Sequence, residues 1–262
     1  MNIYVLLKRT FDTEEHIEIK NGLVIEEGAE FIINPYDEYA IEEAITLREK
    51  HGGTVTVVTA GTESCEKELR TSLAMGADRA ILINLEDVQE ADHHTISELV
   101  AAYLSKQDVD IILGGNVSVD DGAGQVASHV AEKLGINQVT AITGLKLAGN
   151  NVQIERDVEG NVEKIETSLP ILMTCQQGLN EPRYPSLPGI MKAKKKPLER
   201  IELKDLDIGE SQWKPKTETV ERFLPPPKEE GKDIEGEAEQ QAKELARVLK
   251  KEIKVVGRGE DS

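Results

Sequence analysis

Three short runs of branched and aliphatic residues, VTVV at 55–58, AILI at 80–83 and VDIIL at 109–113, are separated by two stretches with helical apolar spacing, 65–75 and 95–106. Branched side chains are stiff at χ1 and pack well on a pleated sheet, whereas apolar residues recurring every three to four positions line one face of a helix. A chain that alternates the two patterns buries both kinds of face most simply as parallel strands joined by crossover helices, a doubly wound α/β fold. Residues 3–7, stopped by Lys8-Arg9, read as a further buried strand.

The remaining segments fit around that frame. Asn21-Gly22, between 17–20 and 23–25, is a strong hairpin signal. Asn34-Pro35 starts a helix, with Asn as cap and Pro at the first position, and Ile41, Ala44, Ile45 and Arg48 carry it towards Gly52-Gly53. Between about 140 and 174, turns at Gly149-Asn150-Asn151 and Glu159-Gly160-Asn161 predict an added set of antiparallel strands. Beyond Pro197 the chain becomes charge-rich, is broken by Pro225-Pro226-Pro227, and regains helical spacing over 234–254. Residues 1–197 are therefore expected to form one α/β domain and 198–262 an arm without a core of its own.

Composition narrows the partners. A net charge of −18 over 262 residues repels phosphate backbones and anionic membrane surfaces, so nucleic acid is not expected as a partner. No run of eighteen apolar residues predicts membrane insertion, and MNIYVLLKRT enters a strand-like segment instead of a signal-peptide core; a cytoplasmic protein is expected. Cys65 and Cys175 form no C-x-x-C pair, which removes support for a disulfide framework or structural zinc.

In a doubly wound sheet, ligands bind where strands end, which singles out the loops at 34–37, 59–62 and 114–126. The third combines glycines, which admit close approach of backbone N–H groups, with the start of a helix that favours phosphate. Its spacing is neither G-x-G-x-x-G nor G-x-x-x-x-G-K-[ST], so it suits a nucleotide without a dinucleotide or Walker fingerprint, or else is a plain glycine-rich connection. His93-His94 are adjacent, point in different directions on a helix and read as surface residues. Asp120 and Asp121 are a weak version of a metal-binding carboxylate set, and no catalytic constellation emerges.

The segment LNEPRYPSLPGIMKAKKKP, 179–197, is too rich in Pro and Gly for a strand or a helix interior, and it concentrates Lys192, Lys194, Lys195 and Lys196 on an acidic chain. Together with the preceding residues from Arg156, it closely resembles the signature region of the β subunits of electron transfer flavoproteins. VLLKRTFD, NPYDEYAIEEA at 34–44 and LRTSLAMGADRA at 69–80 extend the resemblance over roughly residues 1–200.

The resemblance implies a mostly parallel Rossmann-like sheet of the adenine-nucleotide-binding type, with an antiparallel addition and a C-terminal arm that wraps a separate α subunit. It implies an electron carrier without catalytic turnover of its own. In that family the α subunit holds most of the FAD, while the β subunit binds AMP and helps to enclose the flavin. Electrons come from flavin dehydrogenases such as acyl-CoA dehydrogenases and pass to a quinone oxidoreductase. By position, the AMP contacts are Leu6, Asn34, Pro35, Tyr36, Asp37, Ala60, Gly115, Asn116, Val117, Ser118, Val119, Asp120, Asp121, Gly122, Ala123, Gly124, Gln125 and Val126. Family members often carry Asn or Ala at Gly124 and Thr or Val at Val126, and Tyr36 matches an aromatic that approaches the flavin. The resemblance also makes 179–197 a recognition loop, in which Leu187, held between Pro185 and Pro188, enters a pocket on the dehydrogenase while the lysines steer docking. Three alternatives stay open: an electron-bifurcating relative with a second FAD in place of AMP, a nucleotide hydrolase, and a stand-alone adenine-nucleotide sensor.

Overall fold

A computed structural model describes residues 1–227, 231 and 233–251. The chain opens with β1 (Asn2–Leu6) and β2 (Arg9–Phe11). β3 (Ile19–Lys20) and β4 (Leu23–Val24) then form the hairpin expected at Asn21-Gly22, whose φ angles of 53° and 75° are the left-handed pair that a two-residue type I′ turn requires. β5 (Phe31–Ile33) returns antiparallel to β2.

The strand–helix alternation follows as α1 (Pro35–His51), β6 (Thr54–Gly61), α2 (Glu66–Met75), β7 (Arg79–Asn84), α3 (His93–Leu104) and β8 (Ile111–Gly115). β1, β6, β7 and β8 are parallel, in the order β8-β1-β6-β7. The chain thus builds outwards from β1 to β7, and α3 carries it back across to the other side of β1. The strand order reverses between β1 and β8, and at such a reversal two loops leave in opposite directions and open a crevice at the carboxyl ends.

Both faces of the sheet are covered, which is why these strands read as continuous apolar runs instead of alternating ones. Ile3, Val5, Val57, Ala80 and Leu82 pack on one side with Ile41, Ala44 and Ile45 of α1 and Leu69 and Leu73 of α2. Their neighbours Tyr4, Val58, Ile81 and Ile83 pack on the other with Leu99, Val100 and Leu104 of α3.

After α4 (Val126–Leu134), β9 (Asn137–Ala148), β10 (Asn151–Val158) and β11 (Asn161–Ser168) form the expected antiparallel meander, and β12 (Ile171–Cys175) follows. β12 corrects the antiparallel expectation for 140–174: it lies parallel to both β8 and β9 and joins the meander to the main sheet. All five of its residues are buried, as a central strand demands.

The segment 179–197 also differs from a featureless loop, because α5 (Leu187–Ala193) forms within it. Ser186 caps this helix, its Oγ accepting from the Gly189 N–H at 3.1 Å, and Pro188 sits in the first turn, where a missing donor costs nothing. A Cβ on Gly189 would stand 2.5 Å from the Ala74 carbonyl oxygen, so glycine is what lets α5 lie against the end of α2.

β13 (Leu198–Ile201) then adds a ninth strand, parallel to β7, and is followed by α6 (Glu210–Trp213). The compact unit therefore runs Met1–Arg222, past the boundary expected at Pro197, because β7 would otherwise be an open edge and Ile201, Leu203, Leu206 and Trp213 pack into the same core. A second unit begins at Phe223 and contains α7 (Ala238–Lys251). The part of the expected 234–254 helix beyond 251, and of the arm at 228–230, 232 and 252–262, lies outside the described residues. No described helix is long and apolar enough to cross a membrane.

Candidate functional site

The crevice between β1 and β8 gathers the residues singled out in the sequence. Leu6 ends β1 against Gly114, Ala60 stands near the end of β6, residues 34–37 start α1, and 115–126 link β8 to α4. What joins the last two is a buried clamp. Asn34, 1% exposed, stands at the N-cap position of α1, but its side chain makes no cap. Its Nδ2 donates instead to the Val117 carbonyl at 2.9 Å and to Asp37 Oδ1 at 3.1 Å, and its Oδ1 accepts from the Val119 N–H at 3.2 Å. Asp37, 5% exposed, accepts the Gly115 N–H on Oδ1 at 2.8 Å and the Lys8 N–H on Oδ2 at 2.7 Å. The glycine loop is thus held by the start of α1.

Burial pushes the Asp37 carboxyl up to about 7, while the Lys8, Asn34 and Gly115 N–H donors pull the other way. Between its ordinary value near 3.8 and about 7, the folded chain keeps a proton that the unfolded chain releases. The stability contributed by this group is therefore full below about pH 4, falls as pH rises towards about 7 and is flat above, a span on the order of 4 kcal/mol. The stability difference between the parent and Asp37→Asn, from urea unfolding at pH 5, 6, 7 and 8, is expected to shrink up to about pH 7 and then level; parallel curves would remove this assignment.

The outer part of the loop is organised by Lys8, which sequence reasoning used only as a strand stop. Its ammonium donates to Ser118 Oγ at 3.1 Å, Asp120 Oδ1 at 2.8 Å and Asp121 Oδ2 at 3.0 Å. Burial pulls its pKa down, but the two carboxylates outweigh it and hold the lysine above its ordinary value. Asp121 also accepts from Ser118 Oγ and the Ala123 N–H; partial burial works against its ionisation, yet these donors, Lys8 and His93 hold it well below the usual carboxylate range. Gly122 and Gly124 turn the chain with φ of 63° and 60°. Asn116 is fixed by its N–H to the Cys175 carbonyl and by Thr174 Oγ1 donating to its Oδ1, both at 2.9 Å.

This arrangement does not suit metal-dependent hydrolysis: Lys8 already lies between Asp120 and Asp121, and no group of three metal-ligand side chains exists among the described residues. It does suit an anionic nucleotide held by backbone. Gln125 precedes α4 without a side-chain cap, so the N–H groups of the first turn are not claimed by a cap there.

The docking candidates sit elsewhere, on α5 and the residues that flank it. Leu187 is 80% exposed at its first turn, with Pro188 and Lys192, Lys194 and Lys195 also exposed and Pro185 half-buried. Lys196 is not one of this exposed set: its ammonium turns inward to the carbonyls of Ala77 at 2.6 Å and Leu73 at 2.9 Å, at the end of α2. Arg183, absent from the sequence-based candidates, pairs with Glu42 and Glu49 of α1 and is held above its ordinary range by both.

A doubly wound α/β domain whose strand order reverses between β1 and β8 is of the class that takes its ligands in a crevice at the carboxyl ends of the strands. The model of the electron transfer flavoprotein domain matches residues 22–206. The chain is 62% identical over 257 residues to the electron transfer flavoprotein subunit beta of Bacillus subtilis (strain 168), covering 98% of this chain and 100% of that one. It is 34% identical over 213 residues to the human electron transfer flavoprotein subunit beta, covering 79% and 84%. It is 35% identical over 242 residues to the caffeyl-CoA reductase-Etf complex subunit CarD of Acetobacterium woodii, covering 90% and 92%. The chain belongs to the electron transfer flavoprotein family, on the β-subunit side. It is accordingly an electron-carrier subunit whose partner is an α subunit.

Proposed function

We propose that the chain binds one AMP in the crevice between β1 and β8 and, with its α subunit, encloses an FAD that the α subunit mainly holds. The observation that carries the AMP reading is the Asn34–Asp37–Gly115 clamp, which fixes the glycine loop and leaves backbone donors at the start of α4 to meet a phosphate. Leu6, Pro35, Tyr36, Ala60 and residues 115–126 would hold the nucleotide, and Tyr36 would approach the flavin. The bound flavin supplies the redox chemistry. The residues of this chain position the nucleotide, shape the subunit contact and present the docking helix.

In this reading electrons arrive from acyl-CoA and related flavin dehydrogenases that dock at Leu187, and leave to a quinone oxidoreductase, a place in fatty acid oxidation in a cytoplasmic setting. Phe223, Leu224 and α7 of the C-terminal arm lie against the α subunit. The support for this is the exposed pair Phe223 and Leu224 and the face of α7 that carries Ala238, Ala242, Leu245 and Leu249 at helical spacing.

Co-purification with the α subunit, followed by an absorbance spectrum and nucleotide extraction, tests the proposal. One flavin and one AMP per pair are expected, and the isolated chain should carry AMP but no stoichiometric FAD. Two flavins per pair would transfer the chain to the bifurcating branch, and ATP turnover by the isolated chain would make it a hydrolase.

A further inference from the structure

Asp92, His93 and His94 are consecutive, and each grips a different segment. Asp92 Oδ1 caps α3 by accepting the Thr95 N–H at 2.8 Å, while its Oδ2 accepts the N–H groups of Lys216 at 2.7 Å and Thr217 at 2.9 Å and the Thr217 hydroxyl at 3.1 Å. His93 Nε2 lies 3.0 Å from Asp121 Oδ2 in the glycine loop; that carboxylate is held ionised, so the imidazole donates. His94 Nε2 lies 2.8 Å from the Gln212 carbonyl oxygen and donates to it. A pair that reads as idle surface histidines therefore sits between the nucleotide loop and residues 212–217, the root of the C-terminal tail.

We infer that the first turn of α3 couples the two, with Asp92 and His93 as positioning residues, so that filling the nucleotide site and ordering the tail root favour each other. The inference rests on the AMP reading above.

The coupling follows from where the contacts lie. Asp121 determines the form of 118–123 through Ser118, Ala123 and Lys8, so a ligand that orders this loop also fixes the acceptor of His93. His93 is the first residue of α3, and the opening turn is the part of a helix that frays. When His93 is held, the turn and its Asp92 cap persist; when it is released, the cap is lost along with the turn. The chain from 214 to 222 has no helix or strand of its own, so loss of Asp92 frees the backbone at Lys216 and Thr217. The first turn of α3 is thus the two-state element, and because linkage is reciprocal, seating the tail root also favours the ordered loop.

Hydrogen exchange on the full chain, stripped of nucleotide and with AMP added, tests this. In the parent, AMP is expected to slow exchange at 115–126 and also, by about fivefold or more, at 212–222. In His93→Ala the slowing at 115–126 should remain while that at 212–222 disappears; His93→Gln, whose amide still donates, should retain both. Protection at 115–126 with none at 212–222 in the parent overturns the coupling, as does its persistence in His93→Ala. If AMP slows neither segment, the AMP reading itself has failed.

Discussion

Gly115→Ala is expected to abolish AMP retention and to lower the melting temperature by about 5–15 °C. A Cβ at this position would run into Asp37 Oδ1 and would stand 2.7 Å from the Tyr36 Cβ and 2.9 Å from Asn34 Nδ2. None of these is the free end of a flexible side chain: Asp37 is tied to the Lys8 N–H, and Asn34 to Val117 and Val119. The start of α1 must move away from β8, which strains a packed contact and releases N–H groups from a buried carboxylate. Overpacking costs about 1–3 kcal/mol, and stranded buried donors cost a similar amount; for a unit of this size each kcal/mol is about 2–4 °C. Gly122→Ala is the comparison, since nothing lies within 4 Å of a Cβ there and only the left-handed φ of 63° opposes it, at about 1 kcal/mol. A Gly115→Ala chain that melts with the parent and still carries AMP would show that the clamp does not determine the site.

What was legible in the sequence follows from the range of the interactions. The parallel strands are legible because burial on both faces leaves continuous runs such as AILI, and the hairpin at Asn21-Gly22 because its turn chemistry is local. Strand order is not local: the reversal at β1 and β8 follows only from which strands pair, so the loops could be named but not joined. Lys8 and Asp121 are 113 residues apart, and His93 and Asp121 are 28 apart, so neither contact leaves a periodic trace. Asn34 shows the same limit from the other side. Its residue type announces a helix cap, and the helix is there, but Val117 and Val119, distant in sequence, take the side chain. In 179–197, Pro and Gly argue against a helix unless one knows that Pro188 falls in a first turn and that Gly189 faces a carbonyl of α2.

Leu187→Ala is expected to leave melting temperature, AMP and flavin content unchanged, and to reduce electron transfer from a cognate dehydrogenase about 5- to 150-fold in kcat/KM. The first half follows from exposure: at 80% accessible, the side chain has little packing within its own chain to lose. The second follows from how firmly the helix beneath it is held. The Arg70 guanidinium donates to the carbonyls of Ala193 and Lys196 at 3.0 Å each, Lys196 donates back to the end of α2, and Arg183 fastens the approach segment to α1 through Glu42 and Glu49. A leucine presented on a fixed turn loses little freedom on entering a partner's pocket, so most of its transfer free energy, about 1–3 kcal/mol, reaches the complex. Exposed Tyr184 and Met191 extend the apolar patch, and Lys192, Lys194 and Lys195 surround it with positive charge, so the same rate should fall as salt rises and fall further for partners with an acidic docking face. Substituting Lys196 would act differently, by loosening α5 from α2 and lowering the melting temperature, because its ammonium is already committed to Leu73 and Ala77. A Leu187→Ala complex that melts well below the parent yet accepts electrons at the parental rate would place the side chain in the chain's own packing and remove α5 as the docking element.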